Sequence, residues 1–120
     1  MSKSTTRLVI TVLTLITAVV HLVVLNINNI PHVFVIGSIY QLFALNGLGY
    51  LALLGALLLG FPRGQQRLLH YAYMAFAAVT IVAWYVVNEG DFNSILGVST
   101  KVVELLLIVF LWLDLKHVQE

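Results

Sequence analysis

Cysteine is missing altogether from this chain. Its absence excludes disulfides, iron–sulfur clusters, thiolate zinc sites and cysteine nucleophiles. Charge is scarce as well. Asp, Glu, Lys and Arg make up 9% of the 120 residues, where a soluble domain carries about 25%. The formal net charge is +1, and there is no basic cluster to grip a nucleic-acid backbone, so nucleic acid is not an expected partner. There is no glycine-rich phosphate loop, no G-x-S-x-G elbow and no H-E-x-x-H pair. The chain therefore carries no constellation that marks an enzyme. What is abundant is hydrocarbon: 61% of residues are hydrophobic and the mean hydropathy is +1.02. Lipid, not water, is the solvent such a surface calls for.

A helix needs about 20 apolar residues to cross the hydrocarbon core. Four segments qualify, at about 8–25, 37–60, 68–87 and 97–115. The asparagines at 26, 28 and 29 close the first. Gly60 and Pro62 close the second, which could begin as early as His32 because Pro31 suits a first helical position. Asn88, Glu89 and Gly90 close the third. Lys3 and Arg7 resemble the n-region of a signal peptide. No small-x-small cleavage site follows, so the first segment reads as a retained span. The expected fold is all-α, a single-domain integral membrane four-helix bundle over residues 1–120.

Lys3, Arg7, Arg63, Arg67 and Lys116 flank the spans on one side, whereas the loops at 26–36 and 88–96 hold no Lys or Arg. The positive-inside rule predicts cytoplasmic termini and a multi-pass protein of the inner (plasma) membrane. Short loops predict antiparallel neighbours in up-down-up-down order.

Apolar helices in lipid associate through close packing and interhelical hydrogen bonds, so small and polar residues mark inward faces. The predicted stripes are Thr11, Thr14, Ala18 and His21; Asn46, Gly49, Ala56 and Gly60; His70, Tyr73, Ala77, Thr80 and Trp84; and Gly97, Lys101, Glu104 and Ile108. Ala52, Ala56 and Gly60 add a small-xxx-small ladder. Counted from the outer ends, His21 and Lys101 lie roughly 6 Å deep, Glu104 roughly 10 Å and Asn46 roughly 13 Å. With Trp84 they form a predicted outer polar cluster, above an inner half expected to hold Ala, Thr, Gly and aliphatics.

Ionised groups at membrane depth mark either a functional site or a pair. Glu104 bound to Lys101, His21 or Asn46 gives interhelical glue worth about 1–2 kcal/mol, and Lys101 could instead snorkel to the interface. Trp84 and Tyr85 fit an aromatic belt. No histidine pair has ligand spacing on one helix, so no metal is expected, and His70 and His117 read as interface residues.

The segment Phe43-Ala-Leu-Asn46-Gly47-Leu-Gly49-Tyr50-Leu-Ala-Leu-Leu resembles small four-span prokaryotic membrane proteins of uncharacterised function, as do Thr80-Ile-Val-Ala-Trp84-Tyr85 and Lys101-x-x-Glu104. The resemblance implies the four-span fold and no activity. Three roles fit these residues. The first is an accessory or structural subunit of a larger membrane complex, with other subunits or further copies of itself as partners besides the bilayer. The second is a binding protein for a lipophilic cofactor or lipid, such as a quinone, carotenoid or tetrapyrrole, at the outer cluster. The third is a proton or ion pathway through His21, Lys101 and Glu104, which an apolar inner half opposes.

Overall fold

The computed structural model describes residues 2–24, 30–87 and 95–118. The asparagine run and the connection at 88–94 lie outside the described residues. Four helices dominate: α1 (Lys3–Val19), α2 (Ile39–Leu59), α3 (Gln66–Val87) and α4 (Ile95–Leu115). A helix of 21 residues, such as α2 or α4, is about 31 Å long, which matches a hydrocarbon core of about 30 Å. All four are long and apolar enough to cross a membrane.

Local chemistry sets the boundaries. Ser2 caps α1, its hydroxyl accepting from the Thr5 N–H at 3.2 Å. Beyond Val19 the helix widens into a π-helical turn, Val20–Val24, which carries His21. Such turns re-aim the side chains they contain. The second span does not begin at His32 as the sequence allowed. Pro31 instead sits in a separate 3-10 turn, Ile30–Phe34. The chain then breaks at Gly37 (φ 81°), and Ser38 caps α2 by accepting from the Gln41 N–H at 3.2 Å. Gly60 ends α2 in the left-handed region (φ 70°), which lets the Phe61 N–H return to the Ala56 carbonyl at 2.9 Å.

α1 packs on α2 and α4, and α3 packs on α2 and α4. α1 therefore lies diagonally opposite α3, and α2 opposite α4. The core holds Ile10, Ala18, Tyr50, Leu54, Leu57, Leu69, Tyr73, Ala77, Leu107 and Leu111, all buried. The outside is a coat of Leu, Val and Ile, with Leu59 and Ile95 each 83% exposed.

Three sequence expectations change here. The Ala52 ladder does not face inward: Ala52 is exposed, and Ala56 and Gly60 are only half-buried. α2 turns Gly47, Tyr50, Leu54 and Leu57 to the core instead. The half of the bundle expected to be apolar is not, because His70 and Asp114 are both fully buried there. His70 is thus a core residue and not an interface one.

Candidate functional site

The buried polar groups of the bundle lie in layers. At the end where α1 finishes and α4 starts, Glu104 is fully buried and Lys101 is 7% exposed. One turn of helix separates them, so Lys101 Nζ donates to Glu104 Oε1. The other carboxylate oxygen accepts from the Tyr50 hydroxyl at 2.5 Å. Both oxygens of Glu104 are thereby committed to Tyr50 and Lys101, and not to His21 or Asn46.

His21 lies nearby and is 5% exposed. Its Nδ1 donates to the Thr17 carbonyl at 2.8 Å, so that nitrogen carries the hydrogen. The ring stands 6.3 Å from Tyr50 and 6.3 Å from Phe43, centroid to centroid. It also falls within electrostatic range of Glu104 and Lys101. Asn46 reaches across to α3, its Nδ2 donating to Thr80 Oγ1 at 2.6 Å, while Thr80 donates to the Phe76 carbonyl at 2.9 Å. Asn46 Oδ1 has no hydrogen-bond partner among the described residues.

These groups border a cavity of about 470 Å³, lined by residues of all four spans. Its polar lining includes His21, Asn46, Thr80 and Lys101, and its apolar lining includes Phe43, Leu42, Ile39 and Trp84. Four of the five residues singled out from the sequence (His21, Asn46, Trp84, Lys101) thus share one cavity. Glu104 stands behind Lys101 and holds it. Trp84 borders the cavity, whereas its neighbour Tyr85 is 54% exposed, as a belt residue would be.

Gly47 and Gly49 explain how the helices come close enough. A Cβ on Gly47 would stand 2.5 Å from Leu22 Cγ and 3.1 Å from the Ala18 carbonyl oxygen of α1. One on Gly49 would stand 2.5 Å from the Phe76 ring of α3. The Asn-Gly-Leu-Gly run is therefore the contact surface of α2 for both neighbours.

Midway along the bundle, Thr14 of α1 and Tyr73 of α3 share a hydrogen bond. Each diagonal of the bundle is thus bridged by a buried tyrosine hydroxyl: Tyr73 joins α1 to α3 and Tyr50 joins α2 to α4.

The opposite end holds a second charged group, which sequence reasoning missed. Asp114 Oδ2 lies 2.7 Å from His70 Nε2 and 3.4 Å from Arg7 Nε. His70 Nδ1 donates to the Gln66 carbonyl at 2.6 Å. A carbonyl only accepts, so Nδ1 bears a hydrogen, and the 2.7 Å contact on the far side of the ring needs a proton of its own. Arg7 Nη1 donates to the Leu57 carbonyl at 3.1 Å and so ties α2 to the same group. The signal was present in the spacing. Glu104, Leu107, Leu111 and Asp114 recur at steps of three and four, which puts both acids of α4 on one face.

Comparison with curated proteins and with solved structures finds no match. A match does exist at the level of the family, whose description is of unknown function, over residues 1–113. That is nearly the whole chain, from α1 through all but the last two residues of α4. The chain belongs to the family of unknown function DUF7475.

Proposed function

We propose that this protein is an up-down-up-down antiparallel bundle of the plasma membrane, with both termini cytoplasmic, that binds a lipophilic molecule carrying a hydrogen-bonding head. The cavity beside His21, Asn46, Trp84 and Lys101 carries the proposal. Its volume, about 470 Å³, falls in the range of small-molecule sites, and its make-up is typical of them: apolar walls with a few convergent polar groups.

The polar groups define what the head must offer. Lys101 Nζ has three donors, and Glu104 takes one. A ligand oxygen that accepts, such as a carbonyl, would engage another. Asn46 Oδ1 has no hydrogen-bond partner among the described residues and is suited to a ligand hydroxyl. A quinone and its quinol present both kinds of group on one ring. Phe43 and Trp84 supply flat surfaces for that ring. Among the lipophilic classes the sequence allows, a quinone uses these groups best.

Quenching of Trp84 fluorescence tests this. A short-chain quinone titrated into the detergent-solubilised protein is expected to quench saturably. Trp84→Phe, which leaves Trp112 as reporter, is expected to remove the saturable part. Asn46→Leu should weaken binding by about tenfold, the loss of one hydrogen bond to a buried group. Equal quenching in the wild type and in Trp84→Phe would sink the assignment.

The accessory-subunit reading has its own support. Ala52 is exposed, and a Cβ built on Gly55 would meet nothing within 4 Å beyond the local backbone of its own helix. Small residues facing lipid allow another helix to approach closely. Blue-native migration in mild detergent, heavier than the monomer and lost on Ala52→Leu, would support it.

A further inference from the structure

A second cavity, about 590 Å³, opens at the end where α1 begins and α4 ends. Its lining is largely polar: Lys3, Arg7, Gln66, Lys116 and His117, with Gly64 of the α2–α3 connection. We propose that it binds a phosphate ester anion, carried either by a membrane lipid headgroup or by a small soluble phosphate. The proposal concerns the opposite end of the bundle from the quinone cavity and is independent of it.

Three cationic side chains border this space, and only Arg7 has a carboxylate partner among the described residues. Lys3 and Lys116 are exposed and in no ion pair there. Two helices also start at the cavity. Lys3 is the first residue of α1 and Gln66 the first of α3, and neither helix has an acidic residue in its first turn. Helix N-termini carry a partial positive charge that attracts anions. The C-terminus of α4 opposes this, but two of its carbonyls are already engaged. The His117 N–H bonds to the Asp114 carbonyl at 2.9 Å, and the Val118 N–H bonds to the Leu115 carbonyl at 3.2 Å.

Topology alone does not account for the arrangement. Arg63 and Arg67 mark the same end of the bundle without lining the cavity. Basic pockets between helices at a membrane surface are a recurrent way of holding lipid phosphate, and the cavity has room for a headgroup and not only an ion.

The test uses the full chain in an uncharged detergent and follows thermal unfolding. Short-chain phosphatidylglycerol and inorganic phosphate are titrated separately at an ionic strength matched with sodium chloride, with phosphatidylcholine as a zwitterionic control. Saturable stabilisation by phosphatidylglycerol is expected. Lys3→Gln with Lys116→Gln should weaken it at least tenfold, while Arg63→Gln with Arg67→Gln should leave it within twofold. Lys116→Gln alone serves if the first double variant cannot be purified. Stabilisation by phosphate as well as by phosphatidylglycerol identifies the phosphate group itself as the ligand; stabilisation by phosphatidylglycerol alone identifies lipid as the source. No effect of either ligand beyond sodium chloride overturns the site, and so does equal loss in the two double variants.

Discussion

Tyr50 donates to Glu104 at 2.5 Å across the diagonal of the bundle, linking two helices that are not packing neighbours. The same carboxylate receives Lys101 from its own helix. Glu104 is therefore a junction whose two arms can be removed separately. Tyr50→Phe takes away one interhelical hydrogen bond and should cost about 0.6–2 kcal/mol. Glu104→Leu leaves Lys101 buried without a partner and should cost about 3–5 kcal/mol. Thermal unfolding in detergent reads both. Equal losses in the two variants would show that Lys101 escapes to solvent when its acid is gone.

Asp114→Leu should be at least as damaging as Glu104→Leu, because it strips both His70 and Arg7 of their acid. The double variant Asp114→Leu with His70→Leu should recover part of the loss, since it leaves fewer buried polar groups unpaired. The coupling between the two positions in a double-mutant cycle is expected to exceed about 1 kcal/mol. Additive effects would argue that the 2.7 Å contact contributes little.

Two glycines of α2 should respond in opposite ways to alanine. Both lie inside a helix, where alanine gains about 1 kcal/mol of propensity. At Gly55 the new methyl meets nothing within 4 Å, so Gly55→Ala should stabilise or be neutral. At Gly47 it meets Leu22 and the backbone of Ala18. Overpacking of that kind costs about 1–3 kcal/mol, so Gly47→Ala should destabilise on balance. A higher melting temperature for Gly47→Ala would mean that α1 and α2 can separate freely.

The absence of cysteine makes topology directly measurable. Single Ser38→Cys and Gly64→Cys variants stand at opposite ends of α2. With cytoplasmic termini, an impermeant thiol reagent on intact cells should label Ser38→Cys and spare Gly64→Cys. The reverse pattern would invert the orientation. Lysines added at Asn28 and Asn29 should impair insertion, because they weaken the positive-inside signal.

How legible the site was in the sequence depended on the helix. On α3, Tyr73, Ala77 and Thr80 were expected to face inward and are buried, with Trp84 half-buried; His70, in the same stripe but read as an interface residue, is buried as well. Polar residues at helical spacing on an apolar span leave few other faces for them. On α2 the same logic chose the small residues and missed Tyr50. Small residues gain from close approach on any side, lipid-facing or not, so they identify a face only when a partner is known. Gly47 and Gly49 show the difference, since each has a neighbouring helix against it. Asp114 escaped notice because it lies near a span end, where acids are ordinary. Its burial follows from Arg7 and His70, which come from two other helices and are distant in sequence.

The acids and the lysine of α4 bear on how the protein is made. Lys101, Glu104 and Asp114 lie in one helix, α4; a Lys or Asp at the centre of a lone membrane helix costs about 2.5–3.5 kcal/mol to insert, and less near its ends. All of their partners except Lys101 and Glu104 themselves come from earlier in the chain: Tyr50 on α2, His70 on α3, Arg7 on α1. By the time α4 is synthesised, those three helices can already be in the membrane with their polar groups waiting. Stable insertion of α4 is therefore expected to depend on the three helices that precede it.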